Sequence, residues 1–278
     1  MQALLRGFPQ VHVLAYASEF PDTLHEVVQK EVNDKDDAYH DSVNIDFWDG
    51  LTSVDGFGSV HFLNALFYKT THLAGGNWDH AYTYQYNTLF AMLSRELSNW
   101  GAVADRVFES PFVWISAGGS SFEAARPPSF VGDQLDAARR WGMNRMFANY
   151  TYDTINSFDY DPYLPSIRAA AKPGVVDKSP PRLSIDPLPA TVTGETVSVT
   201  GIATDNLAIR FVRWRTDTGQ TGTATLNWDA TGSPRTGWDW RMKWSVADIP
   251  LRPGTNTIEF TVEDIKGLAA STTSTISR

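Results

Sequence analysis

The sequence changes character once, between Lys172 and Pro189. Upstream of this segment, apolar runs of strand length alternate with amphipathic helical patterns. Downstream, short apolar–polar alternations are separated by Gly, Pro, Asn and Asp. Strands that alternate with helices predict a parallel sheet, whereas closely spaced short strands predict antiparallel sheets. We therefore expect two domains, at residues 1–172 and 183–278, with a linker at 173–182.

The downstream part alternates with a period of two residues, as in Val197–Val199, Ile209–Trp214 and Thr257–Val262. About seven such runs in roughly a hundred residues favour an all-β sandwich. Its motifs resemble the bacterial Ig-like modules that accompany secreted and cell-surface carbohydrate-active enzymes. The resembling segments are Gly201–Asn206, Val212–Trp214, Gly222–Ala224, Trp244, Ile249–Asn256 and Val262–Asp264. The resemblance implies an Ig-like fold and a secreted or cell-surface location.

The upstream part contains four predicted strands and three predicted helical regions. The strands are Val11–Ala17, Val43–Trp48, Phe112–Ser116 and Arg145–Tyr150, and the helices are Thr23–Val32, a region within Val60–Trp100, and Val131–Trp141. The last helix and the strand after it resemble the closing segments of glycoside-hydrolase (β/α)8 barrels. The resemblance implies an α/β fold, namely a partial or half (β/α)8 barrel with mostly parallel strands.

Four strands are half of such a barrel, and Met1–Gly7 has the composition of a helix end. We therefore expect one of three arrangements. The other half of the barrel precedes residue 1, two chains complete each other, or the sheet is open. An open sheet edge promotes association, so the sequence predicts either a homo-oligomer or close docking of the downstream sheet against the first domain.

Three acidic residues are the candidate catalytic groups. Functional side chains of a parallel sheet gather where its strands end, and Glu19 follows the first strand while Asp49 ends the second. Asp46 lies within that second strand, where a buried carboxylate must be paired, hydrogen-bonded or functional. Glycoside hydrolysis needs two carboxyl groups, so we assign Asp46 or Asp49 as nucleophile or base and Glu19 as acid. Pairing of Asp46 with a neighbouring strand and a helix-capping role for Glu19 are the alternatives.

Flat and polar side chains at the strand ends, and in the long insertion between the second and third predicted strands, suit sugar rings and hydroxyl groups. The candidate substrate-binding residues are Trp48, Trp78, His80, Asn149, Tyr150 and Tyr152. Packing at strand ends is the alternative for the residues around Tyr150. Five apolar and aromatic residues that follow His80 recur at spacings of three and four, which predicts the buried stripe of a helix rather than a sugar-binding surface. They are Tyr82, Tyr86, Leu89, Phe90 and Leu93.

Composition excludes several classes of function. A net charge of -9 disfavours nucleic acid as a partner, because phosphate binding depends on Lys and Arg. The absence of cysteine excludes thiolate chemistry, and no apolar run is long enough to span a membrane. A serine hydrolase is disfavoured because every histidine precedes Ser116, the serine that follows a predicted strand.

No cofactor is expected apart from a structural calcium ion, for which Asp205 and Asp264 in turns of the downstream part are candidates. Ordinary turn chemistry also explains both aspartates. Taken together, these observations predict a secreted glycoside hydrolase that acts on a polysaccharide or oligosaccharide through paired carboxylates. The alternative is a non-catalytic extracellular protein that binds carbohydrate or mediates adhesion.

Overall fold

The computed structural model describes the second half of the chain almost completely and the first half in segments. The described residues are 11–17, 50, 52–53, 57–64, 78–110, 112–114, 128–141, 148–150, 161–170, 176–228, 232–233, 237–238 and 241–278.

Helices dominate the described part of residues 78–170. They are α1 (Trp78–Glu96), α2 (Trp100–Val103), α3 (Pro128–Trp141) and α4 (Leu164–Ala170), with 3-10 turns at Ala104–Arg106 and Asp161–Tyr163. The predicted stripe on α1 is confirmed, because all five of its side chains are buried. None of the described helices is both long and apolar enough to cross a membrane.

Five short strands in the first half pair in parallel. Strands β1 (Val11–Ala17), β2 (Phe57–Asn64) and β3 (Val107–Ser110) form one sheet in that order, and β4 (Phe112–Trp114) pairs with β5 (Ala148–Tyr150) in a second sheet. Strand β2 lies partly in the region where the sequence predicted a helix. Its run Val60-His61-Phe62-Leu63 fits a strand as well as a helix, because short apolar runs do not distinguish the two.

The expected partial or half (β/α)8 barrel is wrong. Among the described residues the parallel strands belong to two small separate sheets, and the two largest sheets of the protein are antiparallel. A barrel needs its helices to lie against the parallel strands, but α1 packs mainly against α3 and against strands of the second half of the chain. The antiparallel part of the protein therefore provides the surface against which α1 packs, in place of further parallel strands.

The antiparallel part, here called the β unit, comprises strands β6 to β15. One four-stranded sheet has the order β10-β13-β7-β6 and the other the order β15-β14-β8-β9, while β11 and β12 form a hairpin. The strands are β6 (Arg182–Ile185), β7 (Thr196–Thr204), β8 (Ile209–Thr216), β9 (Thr221–Thr223), β10 (Thr225–Asn227), β11 (Gly232–Ser233), β12 (Gly237–Trp238), β13 (Arg241–Pro250), β14 (Thr255–Asp264) and β15 (Ala269–Ser277).

Alternate residues of the β unit face a core between the two sheets. Trp244 of β13 and Phe260 of β14 join the sheets across this core, with ring centroids 5.1 Å apart. Gly201 of β7 lies beneath the Trp244 ring, and a Cβ atom there would come within 2.6 Å of that ring and 2.1 Å of the Ser184 carbonyl oxygen. Glycine is therefore required at this position, because any side chain would push the indole out of the core.

The β unit and the helical part share one hydrophobic cluster. Buried residues of α1, α2 and α3 belong to the same contiguous cluster as those of β7, β8, β13 and β14. The close docking expected as one of two outcomes is therefore present, and oligomerisation stays a prediction. The domain boundary at 173–182 also stays a prediction, although it lies between two parts that cover each other's apolar surface.

Candidate functional site

The helical part meets the β unit along a seam at the turn between α1 and β3. The Leu226 N–H donates to Ser94 Oγ at 2.9 Å, and Arg213 Nη2 donates to the Gly101 carbonyl oxygen at 2.8 Å. Gly101 lies so close to strand β9 that a Cβ atom would come within 2.2 Å of Thr223 Oγ1. These contacts place the α2 turn directly over the outer face of the sheet that contains β8 and β14.

Two adjoining cavities open along this seam. The larger, of about 490 Å³, is lined by charged and hydroxyl-bearing residues that include Arg213, Arg215, Thr221, Glu259, Thr261 and Glu263. The smaller, of about 370 Å³, includes Ser94, Ser98 and Asn99. Because Gly101, Ala102 and Thr223 line both, the cavities form one elongated depression, here called the seam groove.

The charges of the seam groove are balanced and partly available to a ligand. Arg215 and Glu259 are exposed and directly opposite each other on β8 and β14, yet none of the described ion pairs joins them. Arg213 is already engaged, because its guanidinium lies 3.7 Å from the centroid of the Phe211 ring and holds Gly101. The groove therefore offers a guanidinium, a carboxylate and threonine hydroxyls on a surface whose positive and negative groups are equal in number.

The predicted catalytic residues Glu19, Asp46 and Asp49 lie outside the described residues, and so do Trp48 and Tyr152. Their assignments stay predictions.

Four of the predicted substrate-binding residues are in described elements. Trp78 is the first residue of α1, 3% exposed, and packs edge to face against Phe130 with centroids 5.0 Å apart. His80 follows two residues later in α1, and Asn149 and Tyr150 lie in β5 opposite Val113 and Trp114. The environment of Trp78 is that of a core residue, and the structure does not bring it to the seam groove.

The seam-groove residues were not identified from the sequence. Arg213 and Arg215 alternate with Val212 and Trp214, which is a signal for an outward-facing charged pair on β8. What the sequence lacks is any local sign that the α2 turn folds over this face.

The two aspartates suggested for calcium do lie together, and a third joins them. One carboxylate oxygen from each of Asp177, Asp205 and Asp264 lies within 4.8 Å of the corresponding oxygens of the other two. Asp177 was missed because it precedes β6 in a segment without a metal-binding motif.

Comparison with known proteins adds no family to these observations. No family model matches the chain, and no curated protein matches it either.

Proposed function

We propose that this protein is an extracellular carbohydrate-active protein that binds a glycan in the seam groove. The observation that carries the proposal is the charge-balanced groove in which Arg215 and Glu259 face each other without pairing. A sugar hydroxyl donates and accepts hydrogen bonds, so neighbouring hydroxyls can accept from a guanidinium and donate to a carboxylate at once. Two arginines, Arg213 and Arg215, and two glutamates, Glu259 and Glu263, line the groove, so it has no excess of positive charge to attract a phosphate or polyanion.

The dimensions of the groove support an oligosaccharide rather than a monosaccharide. A volume of about 490 Å³ is within the range of small-molecule sites, and the adjoining cavity extends it along the seam.

Binding is tested by affinity electrophoresis through gels that contain neutral soluble polysaccharides. We expect retardation of the native protein, with loss of retardation in Arg215→Ala and Glu259→Gln. Ala102→Trp should also abolish binding, because Ala102 is exposed and lines both cavities. Arg182→Ala, an exposed arginine on the other sheet, is the matched control. Equal retardation of all variants would place the glycan elsewhere, and unretarded migration of the native protein in every gel would contradict the proposal.

For catalysis we propose glycoside hydrolysis through Asp46 or Asp49 and Glu19, supported by the sequence pattern alone. Asp46→Asn, Asp49→Asn and Glu19→Gln are expected to lower turnover of a bound polysaccharide by at least about a hundredfold, as removal of an acid or base does. Retardation in the gels should stay unchanged. A protein that binds without turnover would instead be the non-catalytic carbohydrate-binding protein that the sequence left as the alternative.

A further inference from the structure

The second site is the acidic cluster at the junction between the chain's two halves. Its members come from three separate places: Asp177 precedes β6, Asp205 lies in the turn between β7 and β8, and Asp264 ends β14. The seam groove contains none of them. Whatever binds here is therefore independent of the proposed glycan site.

Asp264 is the centre of the argument because it is completely buried, at 0% exposure. Its Oδ1 accepts hydrogen bonds from the backbone N–H groups of Lys266 and Leu268, at 2.7 and 2.9 Å. Its Oδ2 is also buried, and no donor among the described residues reaches it. A buried carboxylate oxygen without a donor costs several kcal/mol if nothing compensates it.

Asp205 repeats the same arrangement. Its Oδ2 accepts from the Leu207 N–H at 2.8 Å, whereas its buried Oδ1 has no donor among the described residues. Burial, with smaller contributions from Asp264 and Asp177, raises the pKa of Asp205 to about 6. In each residue one oxygen is used by its own turn and the other is left for a ligand.

The protein's own cations do not satisfy the cluster. Lys266 and the buried Arg210 are neighbouring positive charges. Burial lowers the pKa of Lys266, although Asp177 and Asp264 act to raise it. Arg210 interacts electrostatically with Asp264, but its ion pair is with Glu263, at 3.8 Å. None of the ion pairs found within 4.0 Å among the described residues includes Lys266. Asn206 Nδ2 donates to Asp177 at 3.5 Å, which leaves the two unpartnered oxygens of Asp205 and Asp264 unchanged.

We propose that Asp177, Asp205 and Asp264 bind one Ca²⁺ ion and that this ion fixes the segment before β6 to the β unit. The ligands are all carboxylate oxygens, which hard divalent cations prefer, and Ca²⁺ accepts irregular sets of oxygens at about 2.3–2.6 Å. One oxygen from each aspartate lies within 4.8 Å of the other two, so a small inward adjustment of the carboxylates brings all three into contact with one such ion. Mg²⁺ at about 2.0–2.1 Å would require the three carboxylates to move closer together in octahedral geometry.

The test is calorimetric titration of CaCl₂ into the full-length protein after removal of metals with EDTA. We expect one saturable site, with a dissociation constant between about 10⁻⁵ and 10⁻³ M as in sensor and extracellular sites. The melting temperature should rise by several degrees in calcium, since a ligand that binds only the folded state stabilises it. MgCl₂ should bind at least about tenfold more weakly.

The variants separate a metal site from a purely structural cluster. Asp264→Asn keeps an oxygen for the turn N–H groups but loses the second carboxylate oxygen, so calcium affinity should fall at least about tenfold. Asp177→Asn should also weaken binding, and its place in a partly exposed segment outside the sheets avoids any effect on the core. Asp248→Asn makes the same charge change at an exposed bend in β13 and should bind calcium normally.

Three outcomes would overturn the proposal. The first is no saturable heat up to about 10 mM Ca²⁺, which exceeds the weakest extracellular sites. The second is equal binding of Mg²⁺, and the third is unchanged calcium affinity in Asp177→Asn. Circular dichroism of each variant in EDTA reports whether it is folded. Because Asp177→Asn touches no core residue, its calcium affinity decides the matter even if Asp264→Asn fails to fold. Loss of glycan retardation in the gels would leave this result unaffected.

Discussion

Asp79 and Asp264 show two ways in which this protein treats a carboxylate. Asp79, in the first turn of α1, accepts from Trp141 Nε1 at 2.9 Å and from Arg140 Nη2 at 3.0 Å. Each of its oxygens therefore has a donor from α3, and the contact fastens α1 to α3. Asp264 is more deeply buried but receives donors on one oxygen only, and two other carboxylates lie close to its side chain. The difference separates an acid that holds the fold together from one that needs a ligand.

The largest change in stability should come from removing Asp79, whose two carboxylate oxygens both have donors. Asp79→Ala removes the carboxylate that accepts from the buried Trp141 Nε1 and from Arg140 Nη2, and should lower the free energy of unfolding by about 2 kcal/mol. Urea denaturation in EDTA and in calcium measures it, and the loss should be equal in both. A loss that appears only in one of the two conditions would mean that the two sites are coupled.

The second prediction concerns the rate at which trypsin cleaves the peptide bond after Lys178. Lys178 is exposed and directly follows Asp177. If the ion holds Asp177, trypsin should cleave this bond about tenfold more slowly in calcium than in EDTA, because cleavage requires local opening. Mass spectrometry of the fragments gives the rate. Asp264→Asn should be cleaved at one rate in both conditions, and calcium protection in that variant would remove the proposed link.

A smaller effect should appear in metal-free protein. Asp264→Asn removes one of three adjacent negative charges and places an N–H donor beside the remaining carboxylates, so at pH 7 in EDTA it should raise the free energy of unfolding by about 1 kcal/mol. The same variant should be less stable than the native protein in saturating calcium. Destabilisation under both conditions would identify Asp264 as a structural acid like Asp79.

The smallest effect belongs to the exposed charges beside Asp79. Asp136 pairs with Arg139 at 3.0 Å and also with Arg140, all on the surface of α3. Asp136→Ala should change the free energy of unfolding by no more than about 0.5 kcal/mol, since exposed pairs contribute little and are screened by salt. A loss as large as that of Asp79→Ala would show that Asp136 orients Arg140 towards Asp79.

The elements were predictable where one pattern was unambiguous. The buried stripe of α1 follows from spacings of three and four, and Val11–Ala17 follows from its continuous apolar run. Strand β2 was not predicted, because an apolar run such as Val60-His61-Phe62-Leu63 is compatible with either period. The barrel was wrongly inferred because alternation of strands and helices does not say which surface a helix will cover.

The same limit applies to the sites. Asp205 and Asp264 could be singled out because acidic residues in turns have a local signature, and the structure shows the turn bonds that they make. Asp177 and the seam groove depend on segments that are distant in sequence and meet only after folding. No local pattern could have paired Arg215 with Glu259 or brought Gly101 against Thr223.

The cluster common to α1 and the β unit has a practical consequence for anyone who dissects this chain. A recombinant fragment beginning at residue 183 would expose apolar side chains of the shared cluster to water, Phe211 of β8 among them, and the complementary fragment would do the same with Phe90 and Leu97. Each fragment would therefore carry an exposed apolar patch that promotes aggregation. We therefore expect either fragment to aggregate more readily than a chain that contains both parts.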